Sequence, residues 1–127
     1  MRIFKSRWFE RFARKEGIGD EILREAVARA ERGQIDADLG GGVIKQRLPR
    51  PGAGRAKGYR GIILFLRGKR AFFVYGFAKS RQANLDAGEE ETYKEAARVI
   101  LNLGDTALER LLSRGDFSEV SNERKVP

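Results

Sequence analysis

Two runs of β-branched, aromatic and aliphatic residues, Tyr59–Arg67 and Arg70–Ala78, are separated only by Gly68-Lys69. Each run has the length of a strand, and a glycine-containing break of two residues between such runs is a hairpin signal. Neither run alternates between apolar and polar residues. A strand with one wet face turns polar at every second position, so runs that are apolar almost throughout belong to strands covered on both faces, or central in a small sheet. The remaining segments have to supply that cover.

The flanking segments carry helical periodicity. Phe4, Trp8 and Phe12 recur every fourth residue with Phe9 beside them, which predicts a helix over about residues 4–16 whose aromatic face packs inward. Gly17-Ile18-Gly19 interrupts it. Asp20 then reads as the N-cap of a second helix carrying Ile22, Leu23, Ala26, Val27 and Ala30 on one face, with Gly33 as its stop. The pair reads as an antiparallel helical hairpin. Val43–Leu48 is a further strand candidate, halted by Pro49 and Pro51. After Leu85 the helical period returns through Tyr93, Ala96, Ala97, Ile100 and Leu103, ending at Gly104. A last helix is capped by Asp105 or Thr106 and stopped by Gly115. The order is helix, helix, three strands, helix, helix, with Arg2–Phe4 available as an additional first strand. This is an α+β chain with an N-terminal helical hairpin on a small antiparallel sheet and C-terminal helices. Its 127 residues suit one domain over 1–120, with 121–127 a frayed polar tail.

Charge is distributed unevenly. Residues 1–34 hold nine basic and six acidic side chains, and residues 83–127 hold six and ten. From Val43 to Arg81 there are eleven basic residues and no acid. A basic middle between mixed and acidic ends predicts one surface made to meet phosphates, the alternative being a solvated face that keeps the chain soluble.

Absences narrow the chemistry. With no cysteine and no histidine, disulfides, thiolate or imidazole metal sites and histidine acid–base pairs are excluded. The acid-free basic stretch is unlike a two-metal nuclease, so the reading requires neither cofactor nor metal. The longest apolar stretches are five residues, against about 20 for a membrane-spanning helix. The first residues show no signal-peptide core, and the expected location is cytoplasmic, away from membranes.

Gly40-Gly41-Gly42 lacks the Lys-Ser/Thr ending of a phosphate loop and precedes a strand, so it reads as a flexible lead-in. The loop Arg50–Gly58, with Arg50, Arg55 and Lys57, is either a basic loop touching backbone phosphates or a mobile connection. The stronger constellation lies on the strands. Lys45 and Arg47 are two apart and share a sheet face. Arg60 opens the next strand, Lys79 and Arg81 follow the last one, and Tyr93 sits early in the next helix. In an antiparallel sheet these positions can converge on one surface.

The segments Gly41–Leu48, Gly58-Tyr59-Arg60 and Tyr75–Ser80 resemble the RelE/ParE superfamily of bacterial toxins. With Phe4–Phe9 and Ala28–Gly33, the sequence is most similar to its HigB-like, phage-related RelE branch. The resemblance implies the toxin of a type II toxin–antitoxin system, held by a cognate antitoxin that is a small helix-turn-helix protein, and a ribosome-dependent endoribonuclease acting on messenger RNA. It also implies site residues. Lys45 and Arg47 take the positions of a lysine and a second basic residue, Arg60 that of a first arginine, Lys79 or Arg81 that of a second, and Tyr93 that of a tyrosine.

The reaction does not require histidine. The 2′-hydroxyl of RNA attacks the adjacent phosphate, leaving a cyclic phosphate and a free 5′-hydroxyl, and fixed cations stabilise the charge that develops. Arg60 and Lys79 or Arg81 would clamp the phosphate, Lys45 would take the proton, and Tyr93 would stack on a base or orient the hydroxyl. Arg47, Arg50, Arg55 and Lys57 would bind the RNA backbone. The competing readings are a ParE-like, non-enzymatic inhibitor of DNA gyrase and a plain RNA-binding module.

Overall fold

In a computed structural model, residues 1–50 and 58–120 are described. Ten elements follow in order: β1 (Arg2–Ser6), α1 (Arg7–Glu16), α2 (Asp20–Glu31), β2 (Ala37–Gly40), β3 (Val43–Leu48), β4 (Tyr59–Leu66), β5 (Arg70–Ala78), α3 (Ala87–Ile100), α4 (Asp105–Ser113) and β6 (Phe117–Val120). The strands form one six-stranded sheet in the order β2-β3-β4-β5-β1-β6. It is antiparallel except where β1 runs parallel to β5.

The central hairpin is as the sequence predicts, with β5 at the expected bounds and β4 one residue shorter. Both faces of the sheet are covered. On one side Ile44, Leu48, Tyr59, Ile63 and Phe73 pack with Phe9, Leu23, Ala26 and Val27 of α1 and α2. On the other, Val43, Ile62, Leu64, Phe72 and Phe77 pack with Ala97, Leu101 and Leu108 of the C-terminal part. The absence of alternation in β4 and β5 is thus the imprint of two cores on one hairpin.

The N-terminus departs from the sequence reading. A strand, not a helix, opens the chain, and the helical pair follows it. Phe4 does not share a helical face with Trp8 and Phe12. It lies in β1, where side chains alternate between faces, and stacks on Phe72 with ring centroids 4.7 Å apart, in the core opposite α1. The helix starts only at Arg7, where the Ser6 hydroxyl accepts the Phe9 N–H at 3.0 Å. Asp20 is likewise not a cap. Gly19 holds that position, and the Asp20 carboxylate accepts Lys5 Nζ at 3.1 Å, joining α2 to β1.

Two short edge strands, β2 and β6, add to those the sequence predicts. Gly40-Gly41-Gly42 is no loose lead-in but the turn joining β2 to β3, with all three φ values positive (87°, 62° and 84°). Gly42 also sits beneath Leu101, whose Cδ1 would come within 2.8 Å of an added Cβ. At the C-terminal side, Asp86 and Glu89 form a reciprocal capping box that fixes the start of α3. Gly104 does not end α3, which stops at Ile100. It caps α4, whose first residue is Asp105. Among the described residues no helix is long and apolar enough to cross a membrane. The expectations for Arg55, Lys57 and the tail 121–127 lie outside the described residues.

Candidate functional site

Strand register decides which basic residues meet. In β3–β4 Lys45 lies opposite Ile62 and Arg47 opposite Arg60. In β4–β5 Ile62 lies opposite Tyr75 and Arg60 opposite Phe77. Directly opposed residues share a face, so Lys45, Arg47, Arg60, Tyr75 and Phe77 project from the side that also carries α3. The helical pair α1–α2 is on the other side. Three of the expected site residues thus converge, and Tyr93 joins them from α3, its ring 6.2 Å from that of Tyr75.

The electrostatics of this face are unusual for a sheet. Cross-strand pairs of like charge are destabilising, yet Arg47 and Arg60 stand opposite each other. Arg60 is only 8% exposed, and its guanidinium donates to the Tyr59 carbonyl at 3.3 Å. No carboxylate among the described residues lies within ion-pair distance of it. Burial is the main influence holding its pKa below the ordinary arginine value, the Arg47 charge adds to the effect, and Asp36 opposes it. A desolvated cation beside a second cation favours an anion arriving from outside.

Asp36 is committed elsewhere. It accepts the Arg47 backbone N–H at 2.6 Å and pairs with Arg29 at 3.4 Å, while Arg29 also donates to the Arg47 carbonyl at 2.7 Å. The Arg47 main chain is therefore clamped and its side chain left exposed. Lys45 Nζ donates to Asn84 Oδ1 at 2.8 Å. The loop after β5 is drawn over this face by that bond, by Tyr75 donating to Gln82 Oε1 at 3.1 Å, and by Gln82 donating to the Asn84 carbonyl at 3.0 Å. Burial raises the pKa values of Tyr75 and Tyr93, with Glu89 reinforcing both.

The two residues after β5 part company. The Lys79 N–H still pairs with the Gly58 carbonyl at 3.4 Å, continuing the ladder beside Arg60. Arg81 instead joins Arg50 in a groove between α1 and β5, close enough to Tyr59 for both charges to act on its hydroxyl. Lys79 and Arg81 therefore do not meet at one point, and Arg50 is separated from Arg47. Trp8, expected as packing, is 46% exposed and stacks on Phe12 and Tyr75 at 5.4 and 4.7 Å. Asn84, Gln82 and Asp36, which hold the site together, were not singled out by the sequence. They are polar residues in loops, whose partners are fixed only by tertiary structure. Among the described residues no group of acidic side chains is placed to hold a metal ion.

The fold is mixed α+β, and its α3-side face carries Lys45, Arg47 and Arg60 beside the Tyr75 and Tyr93 rings, with no ion-pair partner for the three cations among the described residues. The particular family is shown by comparison. Residues 1–120 match the family described as the RelE toxin of the RelE / RelB toxin–antitoxin system, and the chain belongs to that family. It is a toxin of a toxin–antitoxin system, and membership implies a cognate antitoxin partner. No curated protein matches the chain.

Proposed function

We propose that this toxin, of the HigB-like branch of its family, is a ribosome-dependent endoribonuclease that cuts messenger RNA without a metal ion. The observation that carries the reading is the Arg60 guanidinium: nearly buried, opposite Arg47, and without an ion-pair partner among the described residues. A scissile phosphate supplies the missing negative charge, and its charge grows as the reaction proceeds, so a preorganised cation binds the transition state more tightly than the ground state.

In this reading the 2′-hydroxyl oxygen attacks the adjacent phosphorus and the bond from phosphorus to the 5′ oxygen breaks. The products are a cyclic phosphate and a free 5′-hydroxyl. Lys45, in the neutral amine form that a base requires, takes the proton from the 2′-hydroxyl and becomes the ammonium. A water gives a proton to the departing 5′ oxygen, leaving a hydroxide that the ammonium neutralises. Arg60 holds the phosphoryl oxygens, with Lys79 as the second cation at the same end of the sheet. Arg47 neutralises a neighbouring phosphate, and Tyr93, backed by Tyr75, stacks on a base. Asn84 positions Lys45 until substrate displaces the contact.

The experiment is to map RNA 5′ ends after brief expression in growing cells. Cuts inside translated codons, each leaving a 5′-hydroxyl, are expected. Intact messages accompanied by DNA damage would instead favour the gyrase-directed reading.

A further inference from the structure

The pairing of β5 with β1 stops at Phe73, so the segment Tyr75–Ala78 has β4 on one side and no strand on the other among the described residues. α1 lies along this open edge, and the two leave a groove of about 570 Å³. Its walls are basic. Arg11 and Lys15 project from α1, and Arg50 and Arg81 come from the loops beyond β3 and β5. All four are exposed, and none has an ion-pair partner among the described residues. Several cations elsewhere, among them Arg2, Lys5, Arg7, Arg14, Arg29, Arg70 and Lys94, do sit against carboxylates. Among the described residues the one acid lining the groove, Glu16, accepts the Tyr59 hydroxyl at 2.8 Å.

The floor is aromatic. Trp8 presents one large, partly exposed ring, supported by Phe12 and Tyr75. Tyr75 in turn stacks on Tyr93 on the α3 side of the sheet, with ring centroids 6.2 Å apart. A row of rings therefore runs from the groove to the face bearing Lys45 and Arg60. Cations at the walls and a stacking surface on the floor are what a single strand of nucleic acid requires, phosphates outward and bases on the rings.

We infer that the groove between α1 and the open edge of β5 is a second binding site for single-stranded RNA, taking the segment of the message that flanks the cut, with a base stacked on Trp8 and phosphates on Arg11, Lys15, Arg50 and Arg81. It rests on the nuclease reading only for the identity of the strand. The groove's own features, charge and rings, are independent of the chemistry at Lys45.

Trp8 is the only tryptophan in the chain, so its fluorescence reports on the groove floor, and the groove-wall variants below separate that signal from binding at the Lys45 face. The probe is a 12-nucleotide single-stranded RNA, 2′-O-methylated throughout so that it cannot be cut, titrated into the intact protein. Saturable quenching of Trp8 is expected. Arg11→Ala/Lys15→Ala should weaken it tenfold or more and lower the salt dependence (log affinity against log salt) by about 1.4. Lys69→Ala, in the β4–β5 turn, should behave as wild type. Trp8→Phe should retain most of the affinity, read by a labelled oligonucleotide, and Trp8→Ala should lose roughly tenfold.

Binding without quenching, or quenching unaffected by Arg11→Ala/Lys15→Ala, overturns the inference. So does quenching by polyglutamate but not by RNA, which would make the groove a docking site for an acidic peptide. A loss by Arg11→Ala/Lys15→Ala confined to co-sedimentation with ribosomes also overturns it. If quenching occurs as expected while the wild-type protein cuts no message on ribosomes, the groove stands and the nuclease reading falls. If cleavage occurs and quenching does not, the reverse holds.

Discussion

Replacing Gln46 with leucine should cost this protein a large share of its stability, although the residue touches no substrate. Gln46 is fully buried on the α2 side of β3, between Lys45 and Arg47. Its side-chain oxygen accepts the Asp36 N–H at 2.7 Å, and its amide donates to the carbonyls of Ala26 at 3.0 Å and Gln34 at 3.2 Å. Leucine fills nearly the same volume and makes none of these bonds. The Asp36 N–H is the costly orphan, worth about 1–3 kcal/mol. Gln34 loses an acceptor bond and Ala26, inside a helix, keeps another, adding roughly 0.5 kcal/mol each. The sum is about 2–4 kcal/mol, against a total of about 5–15 kcal/mol for a domain. Urea denaturation followed by circular dichroism measures it directly. Because Asp36 also holds the Arg47 main chain, cleavage should fall as well. Gln46→Glu adds a sign to the test. A carboxylate buried against two carbonyls has its folded-state pKa raised above the unfolded value of about 4.3, so its penalty should grow as pH rises from there. A Gln46→Leu protein within about 0.5 kcal/mol of wild type would refute the reasoning, since that is the range of an inconsequential surface change.

Gly76→Ala should distort the groove, because an added Cβ would lie 2.9 Å from Phe12 Cδ2, and nearer still to Cε2. A loss of about 1–3 kcal/mol in thermal unfolding is expected, with partial recovery in Gly76→Ala/Phe12→Leu. Glu119 receives both arms of Arg2 at 2.9 Å, which holds its pKa below the ordinary glutamate value. The stability it contributes is present above that value and lost as pH falls through the lower folded-state pKa. Glu119→Gln should therefore cost about 0.5 kcal/mol near neutrality, as an exposed pair does, and the difference from wild type should close in acid. A gap that persists at the lowest pH where the protein folds would contradict the assignment.

The central hairpin was legible because its pattern is local: two uninterrupted runs, one glycine turn and no alternation. The site strand β3 was legible for the same reason, and alternation alone placed Lys45 and Arg47 on one face. Phe4 misled because i, i+4 spacing with Trp8 resembles a helix stripe, and only pairing with β5 and β6 makes that segment a strand. β2 and β6, four residues each, have too little pattern to register. Convergence of Arg60 with Arg47 follows from register, which sequence periodicity constrains, whereas the parting of Lys79 from Arg81 depends on a loop path that it does not. The groove did leave a trace, since Trp8, Arg11 and Lys15 are spaced i, i+3, i+7 along one helix. Its aromatic has core spacing in the sequence, and nothing there shows that the pairing of β1 with β5 ends at Phe73.

Cleavage of a model message on purified ribosomes by Arg60→Ala and Lys45→Ala, beside wild type and Lys69→Ala, tests the nuclease reading most directly. Removing one preorganised charge from a transition-state phosphate should cost roughly 10²–10³ in rate, with circular dichroism unchanged. Lys69→Ala should cut as wild type does. If Arg60→Ala and Lys45→Ala both cut at the wild-type rate, the cations of β3 and β4 bind RNA without catalysing its cleavage, and the proposed mechanism is wrong.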